Sequence, residues 1–237
     1  MKKILCKTYD DMSKQAAQRI IDQLNAKPDS VLGLATGSSP IGMYQALIEA
    51  YKAGCVDFSK AKSFNLDEYY PISPDNDQSY HYFMNEHLFQ YVNFAESHVP
   101  DGTADDVEQV GAAYDKMIEE AGGIDLQVLG IGANGHIGFN EPAETLVAGT
   151  HKTDLTQKTI QANARFFESI DDVPTMAVTM GMGSIMKARK IILLISGKNK
   201  AEVADAIFNG SITCEIPASF LQMHPDVTVF IDEAIYQ

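Results

Sequence analysis

The chain has 237 residues, 45% of them hydrophobic, enough for one α/β domain with a substantial core. Its formal net charge of -14 argues against nucleic acid or an anionic membrane as partner, because an acidic surface repels both; an anionic ligand must meet a local positive site. Cys6, Cys55 and Cys214 match no disulfide or zinc pattern, Lys2 and Lys3 precede no apolar leader, and no run approaches the ~20 apolar residues that span a bilayer, so the expectation is a cytoplasmic protein with reduced, packing cysteines.

In chain order, Ile4 to Cys6 is a short apolar strand, and Met12, Ala16, Ile20 and Leu24 then recur on one helical face. The run Val31 to Ala35 is a buried strand whose exit reads LATGSSPIGMYQAL. There Ser39 is expected to cap a helix that opens at Pro40 and carries Ile41, Tyr44, Leu47, Ile48 and Tyr51 on one face. Thr36, Gly37, Ser38 and Ser39 then offer N–H groups and hydroxyls at a helix N-terminus, either as an anion site or as a simple cap; the stretch lacks the G-K-[ST] ending of a Walker loop. Ser63 to Leu66 is a further strand, running into FNLDEYYP. Its adjacent acids, Asp67 and Glu68, lie before Tyr69, Tyr70 and Pro71, either as a general base of raised pKa walled by aromatic rings or as the cap of a helix beginning near Asp77.

A helical period over Val107, Val110, Tyr114, Met117 and Ile118 leads to the apolar strand Leu126 to Ile131 and to GIGANGHIGFNEP. Gly130 to Gly135 spells the dinucleotide fingerprint G-x-G-x-x-G, but that motif needs a helix opening at its third glycine, and Gly138 and Pro142 interrupt any helix there; no nicotinamide cofactor is inferred. Histidine titrates near neutral pH, so His136 is the acid–base candidate, with Asn134 and Glu141 near enough to bond its ring nitrogens and fix its tautomer. The other reading is a structural histidine, and with no second His or Cys nearby there is no case for a metal site. Residues 144–172 are polar and without period, which fits a mobile lid. Arg165 in ANARFF, and Lys198 and Lys200 after the strand Ile191 to Ile195, are cations for a phosphate clamp, Lys198 being read as ordinary surface. Val227 to Ile231 is the last strand. Alternation of strand and helix implies a mostly parallel sheet flanked by helices, with ligands outside the carboxyl ends of its strands.

Taken together, LATGSSP, FNLDEYYP, GIGANGHIGFNEP, ANARFF, GKNKA and LQMHPDVTVFIDE, in this order and over nearly the whole chain, closely resemble the glucosamine-6-phosphate deaminase (isomerase) family. The resemblance implies a single domain over 1–237 with a modified Rossmann-like fold, and conversion of glucosamine 6-phosphate and water to fructose 6-phosphate and ammonia without metal or organic cofactor. It implies Asp67 as enolisation base, His136 as ring-opening residue with Glu141 as its partner, and Thr36 to Ser39, Arg165 and Lys200 as holders of the phosphate. Some members carry an acid where Asn134 stands; an amide adds no charge, so Asn134 is expected only to orient. The positions aligned with the activator cluster of larger hexameric members hold Glu144, Thr145, His151 and Thr153, which points to a monomer or small homo-oligomer. Two rivals stand beside this reading. A 6-phosphogluconolactonase, on the same fold, resembles the chain less, since lactonases place Arg where Tyr69 stands and lack G-F-N-E-P. A non-catalytic sugar-phosphate-binding regulator would need neither a base nor a shuttle.

Overall fold

The computed structural model describes residues 1–163 and 169–237. Seven strands, β1 (Lys2–Cys6), β2 (Val31–Leu34), β3 (Lys62–Asn65), β5 (Glu96–His98), β6 (Leu126–Leu129), β9 (Ile191–Ile195) and β10 (Val227–Asp232), form one sheet in the order β1-β10-β9-β6-β2-β3-β5. Every pairing in it is parallel. The expected α/β fold with a sheet flanked by helices is therefore present.

The central strands are buried on both faces, which is why they read as unbroken apolar runs. Successive side chains point to opposite faces, and the two cores follow that period. Leu32, Leu34, Val128, Ile192, Leu194 and Phe230 pack with Met12, Ala16, Ile20 and Leu24 of α1 (Tyr9–Ala26) and Met43, Tyr44 and Leu47 of α2 (Ile41–Lys52). Val31, Leu129, Ile191, Leu193, Ile195, Val229 and Ile231 pack on the other side with Tyr114 of α4 (Val107–Glu120) and Val203, Ala204 and Ile207 of α7 (Ala201–Asn209). The packing expectation for the cysteines holds for Cys6, which is buried; Cys55 is exposed and Cys214 half-buried. No helix among the described residues is long and apolar enough to cross a membrane.

A second, antiparallel sheet stands apart from the first, in the order β4 (Asp67–Tyr70), β8 (Met176–Thr179), β7 (His151–Asp154). It has its own small core of Tyr69, Ile72, Phe139, Leu155, Ile160, Val173 and Ala177. The segment 144–172 is thus not without regular structure: it supplies β7 and the helix α5 (Gln157–Asn163). Asp67 and Glu68 do not merely follow a strand. After Leu66 the chain leaves the parallel sheet at β3 and enters the antiparallel one at β4, so the two acids open a strand of their own.

β2 passes the chain to β3 on one side, whereas β6 lies on β2's other side. In open α/β sheets the crevice at such a reversal, beyond the carboxyl ends of the strands, is where ligands bind.

Candidate active site

A cavity of about 460 Å³ opens at that crevice. Its walls come from the exit of β2 (Ala35 to Ser39), the β3–β4 junction (Leu66, Asp67), the exit of β6 (Gly130 to Asn134, His136) and the segment that follows (Gly138, Phe139, Glu141). Tyr80 of α3 (Tyr80–His87), Thr156 and Thr159 of the α5 turn, and Asn199 and Lys200 complete it. Asp67, His136, Glu141, Asn134, Thr36, Gly37, Ser38, Ser39 and Lys200 are therefore brought together around one space, although they come from segments far apart in the chain. Arg165 lies outside the described residues.

The neighbours Asp67 and Glu68 have different surroundings because adjacent strand residues face opposite ways. Glu68, almost fully buried, accepts the backbone N–H groups of Tyr69, Tyr80 and His81, each at 2.8 Å. It thus anchors the N-terminus of α3, where the helix dipole favours an anion. Burial pushes Glu68 up to about 7 against the pull of those three donors. Asp67, 5% exposed, faces the cavity. Burial first, and then the charge of Glu68, push it up to about 8. The donors on Glu68 favour its charged form, while Asp67, which has no such donors, is the acid whose carboxyl faces the cavity. The aromatic wall is Tyr80 and Phe139, whose rings stack at 5.9 Å, with Tyr69 packed behind them.

No helix follows the glycine-rich stretch; it closes through tight turns, with Gly132 N–H donating to the His136 carbonyl at 3.0 Å. The His136 ring then folds back over Gly132 so closely that a Cβ there would lie 2.5 Å from Nε2. Gly138 has φ +59, and a Cβ on it would meet Thr179 Oγ1 at 2.9 Å and Asp67 Oδ2 at 3.2 Å. These glycines let the backbone pass beneath an imidazole and a carboxyl at once. The turn is locked by Asn140, a buried residue that the sequence reading left unassigned, whose side-chain N–H groups donate to the Ile137 and Met180 carbonyls at 2.8 Å each.

His136 Nδ1 lies 3.2 Å from Glu141 Oε1. Nδ1 is buried and makes no formed hydrogen bond, so this is a close approach of ring and carboxylate that falls short of one. Asn134 does not bond the ring. Its Nδ2 donates to Glu141 Oε2 at 2.7 Å while its Oδ1 accepts the His136 backbone N–H at 3.3 Å, so it orients the partner of the imidazole. Thr159 donates to Glu141 Oε1 at 2.9 Å, a contact the sequence reading missed because it comes from α5, in the second sheet's layer. Burial would raise the Glu141 carboxyl, but the contacts with His136, Asn134 and Thr159 outweigh it and bring it down to about 2. Glu141 is accordingly a permanent anion beside the ring.

The cationic Lys200, half-buried, also lies on the cavity wall, with Nζ donating to the Ile131 carbonyl at 2.6 Å and its pKa lowered by burial. It closes a short 3-10 helix, Lys198–Lys200, and Lys198 is exposed, as expected of ordinary surface. Ser39, on the same cavity, does not cap α2. That helix starts at Ile41 with Pro40 at its N-cap, and no side-chain cap comes from the segment itself.

The family model for glucosamine-6-phosphate isomerases and 6-phosphogluconolactonases matches residues 7–230. A glucosamine-6-phosphate deaminase of Clostridium perfringens strain 13 is 56% identical, with 98% of this chain and 97% of the relative covered. One of Thermoanaerobacter pseudethanolicus is 55% identical, covering 98% and 93%. Among solved structures, a monomeric glucosamine-6-phosphate deaminase superposes with a TM-score of 0.96 at 44% identity, covering 100% of this chain and 99% of the other. The 6-phosphogluconolactonase of Trypanosoma cruzi shares the fold, at a TM-score of 0.80, 21% identity and 99% and 95% coverage. The chain belongs to the glucosamine-6-phosphate isomerase and 6-phosphogluconolactonase family, and within it to the glucosamine-6-phosphate deaminases.

Proposed function

We propose that the protein deaminates and isomerises glucosamine 6-phosphate to fructose 6-phosphate and ammonia, with Asp67 as base and His136 as ring-opening shuttle. The observation that carries this reading is that a buried carboxyl and a histidine backed by a carboxylate border one cavity of hexose size, with Lys200 and the hydroxyls of Thr36, Ser38 and Ser39 on the same walls. The phosphate is held by Lys200, Arg165 and residues 36–39, and binding energy from that remote group sets C1 and C2 of the open chain beside Asp67.

His136 moves a proton between the anomeric hydroxyl and the ring oxygen, with the Glu141 anion stabilising the imidazolium that forms on the way. Asp67 then takes the proton from C2 and returns it to C1 through an enolamine. The resulting C2 imine adds water, and the C2–N bond breaks to release ammonia. The substrate supplies part of the apparatus itself. Its C2 ammonium sits beside Asp67 and offsets the burial and the Glu68 charge that hold this acid up, so the base ionises when an amino sugar is bound. In keeping with the aligned residues Glu144, Thr145, His151 and Thr153, the enzyme works as a monomer or small homo-oligomer.

The test is to incubate the purified protein with glucosamine 6-phosphate, without added metal, and to assay ammonia and fructose 6-phosphate. Appearance of both supports the reading. Hydrolysis of 6-phosphogluconolactone in their place transfers the chain to the lactonase activity, and sugar-phosphate binding without any turnover makes it a regulator.

A further inference from the structure

Helix α2 points its N-terminus at the phosphate end of the cavity, yet its first turn has no cap from its own segment. The cap comes from α1. The Tyr9 hydroxyl accepts the Gly42 N–H at 2.9 Å and lies 2.8 Å from the Ser38 carbonyl and 3.2 Å from that of Ser39. A phenol has one proton to donate. It goes to the serine carbonyls, the shorter contact being to Ser38, while an oxygen lone pair takes Gly42.

The consequence concerns charge. An anion loop works when N–H groups and hydroxyls face the ligand and carbonyl oxygens, which carry partial negative charge, face away. Tyr9 does not line the cavity; it draws the Ser38 and Ser39 carbonyls toward α1 from behind the loop. It also relieves the serines of capping. Among the described residues the hydroxyls of Thr36, Ser38 and Ser39 make no hydrogen bond within the chain and are left to meet a ligand, whereas serines before a helix ordinarily spend theirs on its open N–H groups.

We infer that Tyr9 is a positioning residue for phosphate recognition, acting through the orientation of residues 38–42 and never touching the substrate. The inference rests on the proposed role of residues 36–39 as phosphate holders. Tyr9→Phe removes the hydroxyl and keeps the ring packed beside α2, so the fold is retained. Loss of the hydrogen bonds that order the loop should raise KM for glucosamine 6-phosphate and the inhibition constant of inorganic phosphate together, by roughly five- to tenfold, with kcat within about twofold of wild type. Unchanged KM and phosphate inhibition in Tyr9→Phe, with or without a lower melting temperature, would leave the hydroxyl a helix prop and overturn the inference; so would a fall in kcat at constant KM. A wild-type protein that neither turns over the sugar phosphate nor is inhibited by phosphate overturns the underlying reading instead, and the inference falls with it.

Discussion

Replacing Gly132 by alanine isolates the placement of the His136 ring. Gly132 is not among the residues of positive φ, so an alanine fits the backbone, and the smaller unfolded-state entropy favours the variant by roughly 0.4–1 kcal/mol. Its Cβ would lie 2.5 Å from Nε2, with the neighbouring ring atoms closer still, whereas non-bonded heavy atoms rest about 3.5–4.0 Å apart. The ring must retreat by about 1 Å or swing aside. Either movement undoes the 3.2 Å approach of Nδ1 to Glu141, which is already at the edge of hydrogen-bond length. Displacement of a reacting group by 1 Å costs on the order of 10²-fold in rate. The expected outcome is therefore a melting temperature close to wild type with kcat for ammonia release down about a hundredfold. A Gly132→Ala enzyme with full turnover and an unchanged pH profile would refute the assignment of ring opening to His136 in this position.

Asp67→Asn should bind sugar phosphate yet lose exchange of the C2 hydrogen with solvent, followed by NMR in deuterated buffer; persistent exchange removes Asp67 from its role. In the wild type the acid limb of kcat/KM should lie near the raised value of about 8, far above an ordinary carboxylate. Because the folded-state pKa is raised, the native chain holds this proton more tightly than the unfolded one. The associated stability is complete below the ordinary value of 3.8 and is lost as pH rises to about 8, so Asp67→Asn should gain stability relative to wild type across that window in urea titrations. Lys200→Met removes a charge-assisted contact to the phosphate, worth about 1.5–3 kcal/mol, and should raise KM roughly ten- to a hundredfold with little change in kcat; an unchanged KM would take Lys200 out of the clamp. Thr159→Val should lower kcat several-fold by releasing one of the donors on Glu141, while Thr159→Ser restores it. Equal damage from both substitutions would mean that the methyl group, and not the hydroxyl, is what matters.

The strands of the parallel sheet are legible in the sequence because they are buried on both faces, and a run such as Ile191 to Ile195 admits few other readings. The second sheet is not legible for the opposite reason. β4 reads Asp-Glu-Tyr-Tyr and β7 reads His-Lys-Thr-Asp, so neither carries an apolar alternation; ladder pairing to β8 makes them strands. In the site, residue types at strand exits offer Asp67, His136, Glu141 and Lys200 as candidates, which the structure brings to one cavity, but not how they are supported. Asn134 could be read as a partner of the ring because it is close in the chain; only coordinates reveal that its amide reaches Glu141. Thr159 and Tyr9 carry no signal at all, since each acts across a gap in the chain that no periodicity bridges. Serine before proline implied a cap at Ser39, and that expectation failed because a hydroxyl from another helix already serves the same N–H.

The pair Asp67 and Glu68 explains why the chain changes sheets where it does. Had β3 simply continued, two successive acids would have alternated between the two faces of the parallel sheet, each packed by helices and lined with apolar side chains. Turning at Leu66 into β4 lets the same alternation aim one acid at the cavity and the other at the open N-terminus of α3. Glu68 has three backbone donors and can carry a charge in the interior; burial first, and then that charge, hold the Asp67 carboxyl up at about 8. In the proposed mechanism such a base answers to an ammonium at C2, which a hexose phosphate with a hydroxyl at that carbon lacks. There the division of labour belongs to the two positions and not to the two residue types: the N–H groups of Tyr69, Tyr80 and His81 face position 68, so an exchanged pair would still leave the carboxyl at position 67 facing the cavity without those donors.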